Sequence, residues 1–157
     1  MVAEQRNAWI ALAVAVIGYA VYFSLVMGAA AGGPLAEADY ITPMLIVIIG
    51  SVIGTVVLTV AVAIIAAIVA GARDPKTADE TVRRVMQDSD ERDRAINKAG
   101  ELAARWLVVA GALAALVFAW FEFGHFWIAN VVFLGFYASA IFGAIFKLAA
   151  YRWGLRA

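Results

Sequence analysis

The chain has 157 residues, 65% of them hydrophobic and 15% charged, with a formal net charge of zero and no cysteine. A soluble domain is about 45–50% apolar and about 25% charged, so the apolar excess, with a mean hydropathy of +0.89, points to lipid as the solvent. Zero net charge argues against direct nucleic-acid binding, and the lack of cysteine excludes disulfides, thiolate metal sites and thiol catalysis.

A transmembrane helix needs about 20 apolar residues, and Ala8–Met27 supplies the first such run. Ala29-Ala30-Ala31 could pass for a signal-peptidase site, but a signal h-region runs only about 7–15 residues behind a basic n-region. Here Arg6 is offset by Glu4, so the segment reads as a membrane span. The second run, Pro43–Ala70, carries no charge. As a helix it reaches about 42 Å against a hydrocarbon core of about 30 Å. Tilt alone would have to reach about 45°, so this helix is expected to project from the bilayer at its cytoplasmic end. The third span, Leu102–Phe121, needs Arg105 to snorkel toward the headgroups, and the fourth, Phe126–Lys147, asks the same of Lys147. The expected fold is therefore all-α: one integral membrane domain, a four-helix bundle, with a cytoplasmic helical hairpin over about 72–101 between spans two and three.

Orientation follows from the cations. Four spans place Arg6, the eight basic residues from Arg73 to Arg105, and Lys147, Arg152 and Arg156 on one face. Those are all 12 basic residues of the chain. The two opposite loops hold only Glu37, Asp39 and Glu122. Both termini are therefore expected in the cytoplasm. Trp9, Trp106 and Trp153 fall at that interface and Trp120 and Trp127 at the other, as an amphipathic indole ring prefers.

No Asp, Glu, Lys or Arg lies at the middle of a span, which disfavours ion-coupled transport. Small residues recur at helical spacing instead. Gly50 and Gly54 form a G-x-x-x-G in span two, and Gly135, Ser139 and Gly143 form a stripe in span four. Such stripes let helix backbones approach closely, here within the bundle or between copies in a homo-oligomer. Tyr19, Tyr22, Ser24, Thr55, Thr59, Tyr137 and Ser139 are uncharged polar groups within spans. They serve either helix–helix and backbone hydrogen bonds or a cavity for a lipid or small amphipathic ligand. Glu122 and His125 have the Glu-x-x-His spacing of half a carboxylate-bridged metal site. The other half is missing and Gly124 marks a turn, so no metal, cofactor or nucleophilic catalytic residue is assigned.

Most of the charge lies in the hairpin. Asp74-Pro75 breaks the chain, Thr77-Ala-Asp-Glu80 reads as a capping box, and Val82, Val85 and Met86 form a narrow apolar stripe. Asp88 or Ser89 is expected to cap a second helix running directly into span three. Asp90–Arg94 and Glu101–Arg105 are possible i,i+4 pairs along it.

The run Ser89-Asp90-Glu91-Arg92-Asp93-Arg94-Ala95-Ile96-Asn97-Lys98-Ala99-Gly100 resembles the D-E-R-x-x-x-I-x-x-K-A-G element of a group of small prokaryotic membrane proteins. That element stands just before a transmembrane helix; here one residue fewer separates Ile96 from Lys98. The group consists of multi-span domains of unassigned function, some encoded beside small helix-turn-helix regulators. The resemblance implies a bacterial inner-membrane protein and hints at signalling. Physically the element either caps and solvates span three or presents Asp90, Glu91, Arg92, Arg94, Ile96 and Lys98 to a cytoplasmic protein partner; mixed charge suits specific polar recognition. Arg94, Asn97 and Glu101 also loosely resemble the cluster of trimeric membrane enzymes of glutathione and eicosanoid metabolism, but with different spacing and before the wrong span. The leading expectation is a non-enzymatic regulatory protein docking a partner through the hairpin. An intramembrane ligand cavity comes second, and the enzyme third.

Overall fold

The computed structural model of the chain describes residues 3–73 and 91–154. Four helices account for nearly all of them: α1 (Ala3–Ala30), α2 (Ile41–Arg73), α3 (Glu91–Trp120) and α4 (His125–Trp153), with a short 3-10 turn at Leu35–Glu37. All four are long and apolar enough to cross a membrane, so the fold is an all-α, four-helix membrane bundle. The expected capping box at Thr77–Glu80, the stripe of Val82, Val85 and Met86, the Asp88 or Ser89 cap and the Asp90–Arg94 pair lie outside the described residues.

Helix boundaries have local causes. α1 ends where Ala31 (φ 45°) and Gly32 (φ 84°) turn left-handed, and the Gly33 N–H then donates to the Ala30 carbonyl at 2.7 Å. Asp39 starts α2: its Oδ1 accepts from the backbone N–H groups of Ile41 (3.1 Å) and Thr42 (3.2 Å). The side chain of Thr42, then its backbone N–H, holds the Asp39 carboxyl below its ordinary range. Pro43 falls in the first turn, where a missing N–H leaves no hydrogen bond unmade. With 33 residues, α2 reaches about 50 Å, some 20 Å more than the hydrocarbon core. The α3–α4 turn passes through Glu122 at φ 57°, and His125 is the first residue of α4. Glu122 and His125 therefore do not share one helix face.

The helices pack in the spatial order α3–α4–α1–α2, with the α3–α4 pair the most extensive. Its seam is built from small residues. A Cβ placed on Gly111 would lie 3.0 Å from the Gly135 Cα and 3.2 Å from the Val131 carbonyl oxygen. One on Gly143 would lie 3.3 Å from the Ala104 Cβ. Between these points the Ser139 hydroxyl donates across the seam to the Ala104 carbonyl at 3.0 Å. Lipid tails are as apolar as leucine, so close van der Waals approach and such interhelical bonds must supply the association energy.

The stripe of Gly135, Ser139 and Gly143 is thus an internal packing surface. Gly50 and Gly54 differ: nothing lies within 4 Å of a Cβ at either position. Neither makes a close helix contact among the described residues; α2 rests chiefly on α1 and is the least enclosed of the four spans. They line a shallow furrow between α1 and α2.

Toward the short loops, Tyr22, Val26, Phe126, Phe133 and Tyr137 form a buried cluster, with the rings of Tyr22 and Phe133 4.5 Å apart. There the Tyr22 hydroxyl donates to Asn130 Oδ1, while Asn130 Nδ2 donates to the Phe126 carbonyl at 2.8 Å. α2 packs chiefly on α1 and makes few contacts with α3 and α4. A hydrogen bond of 3.0 Å between the hydroxyls of Ser51 and Tyr137 is its polar tie to α4.

Candidate functional site: an amphipathic groove

The gap beside α2 forms two adjoining cavities. The first, of about 690 Å³, lies between α2 and α4 over a floor of α1; Val14, Ile48, Val52, Phe133 and Phe136 make it predominantly apolar. The second, of about 470 Å³, continues toward the chain-end face and is lined by Asn7, Thr59, Asn97, Glu101, Ser139 and Lys147, among others. Ala11, Thr55 and Ala140 line both, so the two cavities adjoin, and together they are a groove with an apolar and a polar end. Along α4 it runs from Phe133 to Lys147, about 21 Å of helix, against about 15 Å for one leaflet of the hydrocarbon core. Each cavity falls within the size range of ligand pockets, about 300–1,000 Å³.

Small residues create this space. Ala8, Ala11, Ala140 and Ala144 are where α1 and α4 meet the groove, and none projects far enough to fill it. Thr55 turns its hydroxyl back to the Ser51 carbonyl at 2.8 Å, so its polar group is already paired within α2. Gly100 lets the Lys147 stem cross α3: a Cβ there would meet Lys147 Cγ at 2.6 Å. Lys147 therefore does not snorkel freely. Its side chain is only 22% exposed, and its ammonium lies 3.9 Å from the carboxylate of Glu101, which is 72% exposed. Glu101 accordingly faces α4, in place of the expected pairing with Arg105 along its own helix. Asn7 contributes an enclosed Oδ1 that has no hydrogen-bond partner.

The residues expected to dock a partner divide. Asp90 lies outside the described residues. Glu91, Arg92, Arg94 and Lys98 are exposed on the charged first turns of α3. Ile96 is 0% exposed and Asp93 5%, so Ile96 belongs to the interior and is corrected as a docking residue. Of the enzyme-like trio, Asn97 and Glu101 line the polar cavity whereas Arg94 is exposed outside it.

Thr55, Thr59, Tyr137 and Ser139 were recognisable in the sequence as polar groups within spans, and the groove gathers all four. Asn7, Ser51, Asn130 and the Glu101–Lys147 pair were not anticipated. Asn7 and Glu101 sit near predicted span ends, where polar residues are commonplace, and the Glu101–Lys147 contact joins different helices. Comparison of the chain with protein-family models, curated proteins and solved structures returned no match.

Proposed function

We propose that this protein is a non-enzymatic lipid-binding protein of the bacterial cytoplasmic membrane, and that the groove holds one lipid of the inner leaflet. The carrying observation is that an apolar and a more polar cavity adjoin at Ala11, Thr55 and Ala140. A leaflet lipid has its tail toward the midplane and its head at the interface, and the groove has the same polarity over about the same depth. One-sided placement of the basic residues supports a cytoplasmic polar end.

Ala140→Phe tests this reading. Position 140 is exposed and common to both cavities, so a phenyl ring there blocks the groove without entering a packed seam. After gentle detergent extraction, native mass spectrometry is expected to find one retained lipid on the wild type and about tenfold less on the variant. Such a loss corresponds to about 1.4 kcal/mol. Equal retention by both proteins, with equal thermal stability, would refute the groove.

A second reading is favoured by the exposed quartet of Glu91, Arg92, Arg94 and Lys98: these residues dock a soluble partner, as the resemblance to the D-E-R element suggests. Affinity capture with the wild type and with Glu91→Ala/Arg92→Ala/Arg94→Ala is expected to lose specific proteins from the variant. Identical recovery at equal expression would count against this surface.

A further inference from the structure

The tail of a bound lipid contributes little to selectivity. It leaves one apolar environment for another, without the hydrophobic gain that drives burial from water. Discrimination must come from the polar end, whose chemistry is specific. Among the described residues lining it, one cation and one anion are present, Lys147 and Glu101. Arg6 lies outside the lining.

The two charges stand 3.9 Å apart, whereas a charge-assisted N–H···O bond closes to about 2.7–2.9 Å. Each therefore retains hydrogen-bonding capacity for a third party. Asn7 adds an acceptor lacking a donor, and an enclosed acceptor left unpaired is costly.

We infer, on the basis of the groove reading above, that the preferred ligand is a zwitterionic aminophospholipid: a phosphate ester bearing a primary ammonium. Its phosphate pairs with the Lys147 ammonium, and its own ammonium donates to the Glu101 carboxylate and, after rotation of the Asn7 amide, to Asn7 Oδ1. This headgroup has the charge pattern of the lining in reverse. A phosphoglycerol headgroup meets Lys147 equally well, yet has no cation of its own to pair with Glu101. A phosphocholine headgroup matches both charges, but its quaternary nitrogen carries no N–H for Glu101 or Asn7.

The test is competition. Purified full-length protein is equilibrated with mixed micelles holding equal amounts of phosphatidylethanolamine, phosphatidylcholine and phosphatidylglycerol of identical acyl chains, and bound lipid is read by native mass spectrometry. The expected result is phosphatidylethanolamine retained about tenfold over each of the others, as one or two added charged hydrogen bonds would give. Glu101→Gln, a near-isosteric change of a side chain that is 72% exposed, is expected to erase most of the preference over phosphatidylcholine. Lys147→Gln is expected to weaken all three lipids together.

Retention of the three lipids in equal amounts, blocked by Ala140→Phe, would overturn the headgroup assignment and leave the groove standing. Preferential retention of phosphatidylglycerol, or a preference unchanged in Glu101→Gln, would also overturn it. Absence of any retained lipid would remove both the groove reading and this inference.

Discussion

Replacing Gly135 by leucine is expected to cost the protein its native α3–α4 pairing. A Cβ at Gly135 would lie 3.1 Å from the Gly111 Cα and 3.2 Å from the Leu107 carbonyl oxygen. Both are backbone atoms, so no flexible side chain can swing aside. The helices would have to separate, and the Ser139–Ala104 hydrogen bond and the Gly143–Ala104 contact lie in the same seam. Even one inserted methyl in a packed site typically costs about 1–3 kcal/mol, which is the expectation for Gly135→Ala. Leucine adds three further carbons along the same line and should exceed it.

Unfolding in detergent, followed by near-ultraviolet circular dichroism during a dodecyl sulfate titration, reads this directly. The control lies on α2. Gly50→Ala and Gly54→Ala meet open space, and replacing a helix glycine by alanine is favourable by about 0.5–1 kcal/mol where nothing is crowded. These variants should be at least as stable as the wild type. A wild-type transition for Gly135→Leu would contradict the seam. A concentration-dependent loss of stability in Gly50→Ala would instead show a second copy packing at that furrow.

This contrast between glycines marks the boundary of what the sequence conveys. Four charge-poor runs of about the bilayer thickness were sufficient to fix the number of spans. The chain's cations and tryptophans added an expected orientation. The second hairpin helix was expected to run into span three, and α3 is continuous from Glu91 to Trp120. Boundaries moved where hydropathy is a poor guide. α1 reaches back to Ala3 because the polar residues before Ala8 need not enter oil to remain helical.

Pairing was less legible. Gly50-x-x-x-Gly54 and Gly135-x-x-x-Ser139 carry the same spacing, but among the described residues the second packs tightly on another helix and the first does not. Spacing identifies residues that share a helix face; helix tilt and rotation, set by all neighbours together, decide what that face touches. The groove has the same origin. It arises because α2 packs chiefly on α1 and not on α3 or α4, and no local pattern records the space left between helices. Glu101 and Lys147 likewise read as two span-end charges until α3 and α4 are placed side by side.

The assignment of the groove to one leaflet rests on which face carries its polar mouth. The chain has no cysteine of its own, so single-cysteine variants can be labelled without background. Glu37→Cys marks the 3-10 turn between α1 and α2, and Arg92→Cys marks the first turn of α3 near the polar mouth; both native residues are exposed. With a membrane-impermeant maleimide on intact cells, the account predicts complete labelling at position 37 and none at position 92 until the membrane is permeabilised. Labelling of both positions from the same side would contradict it.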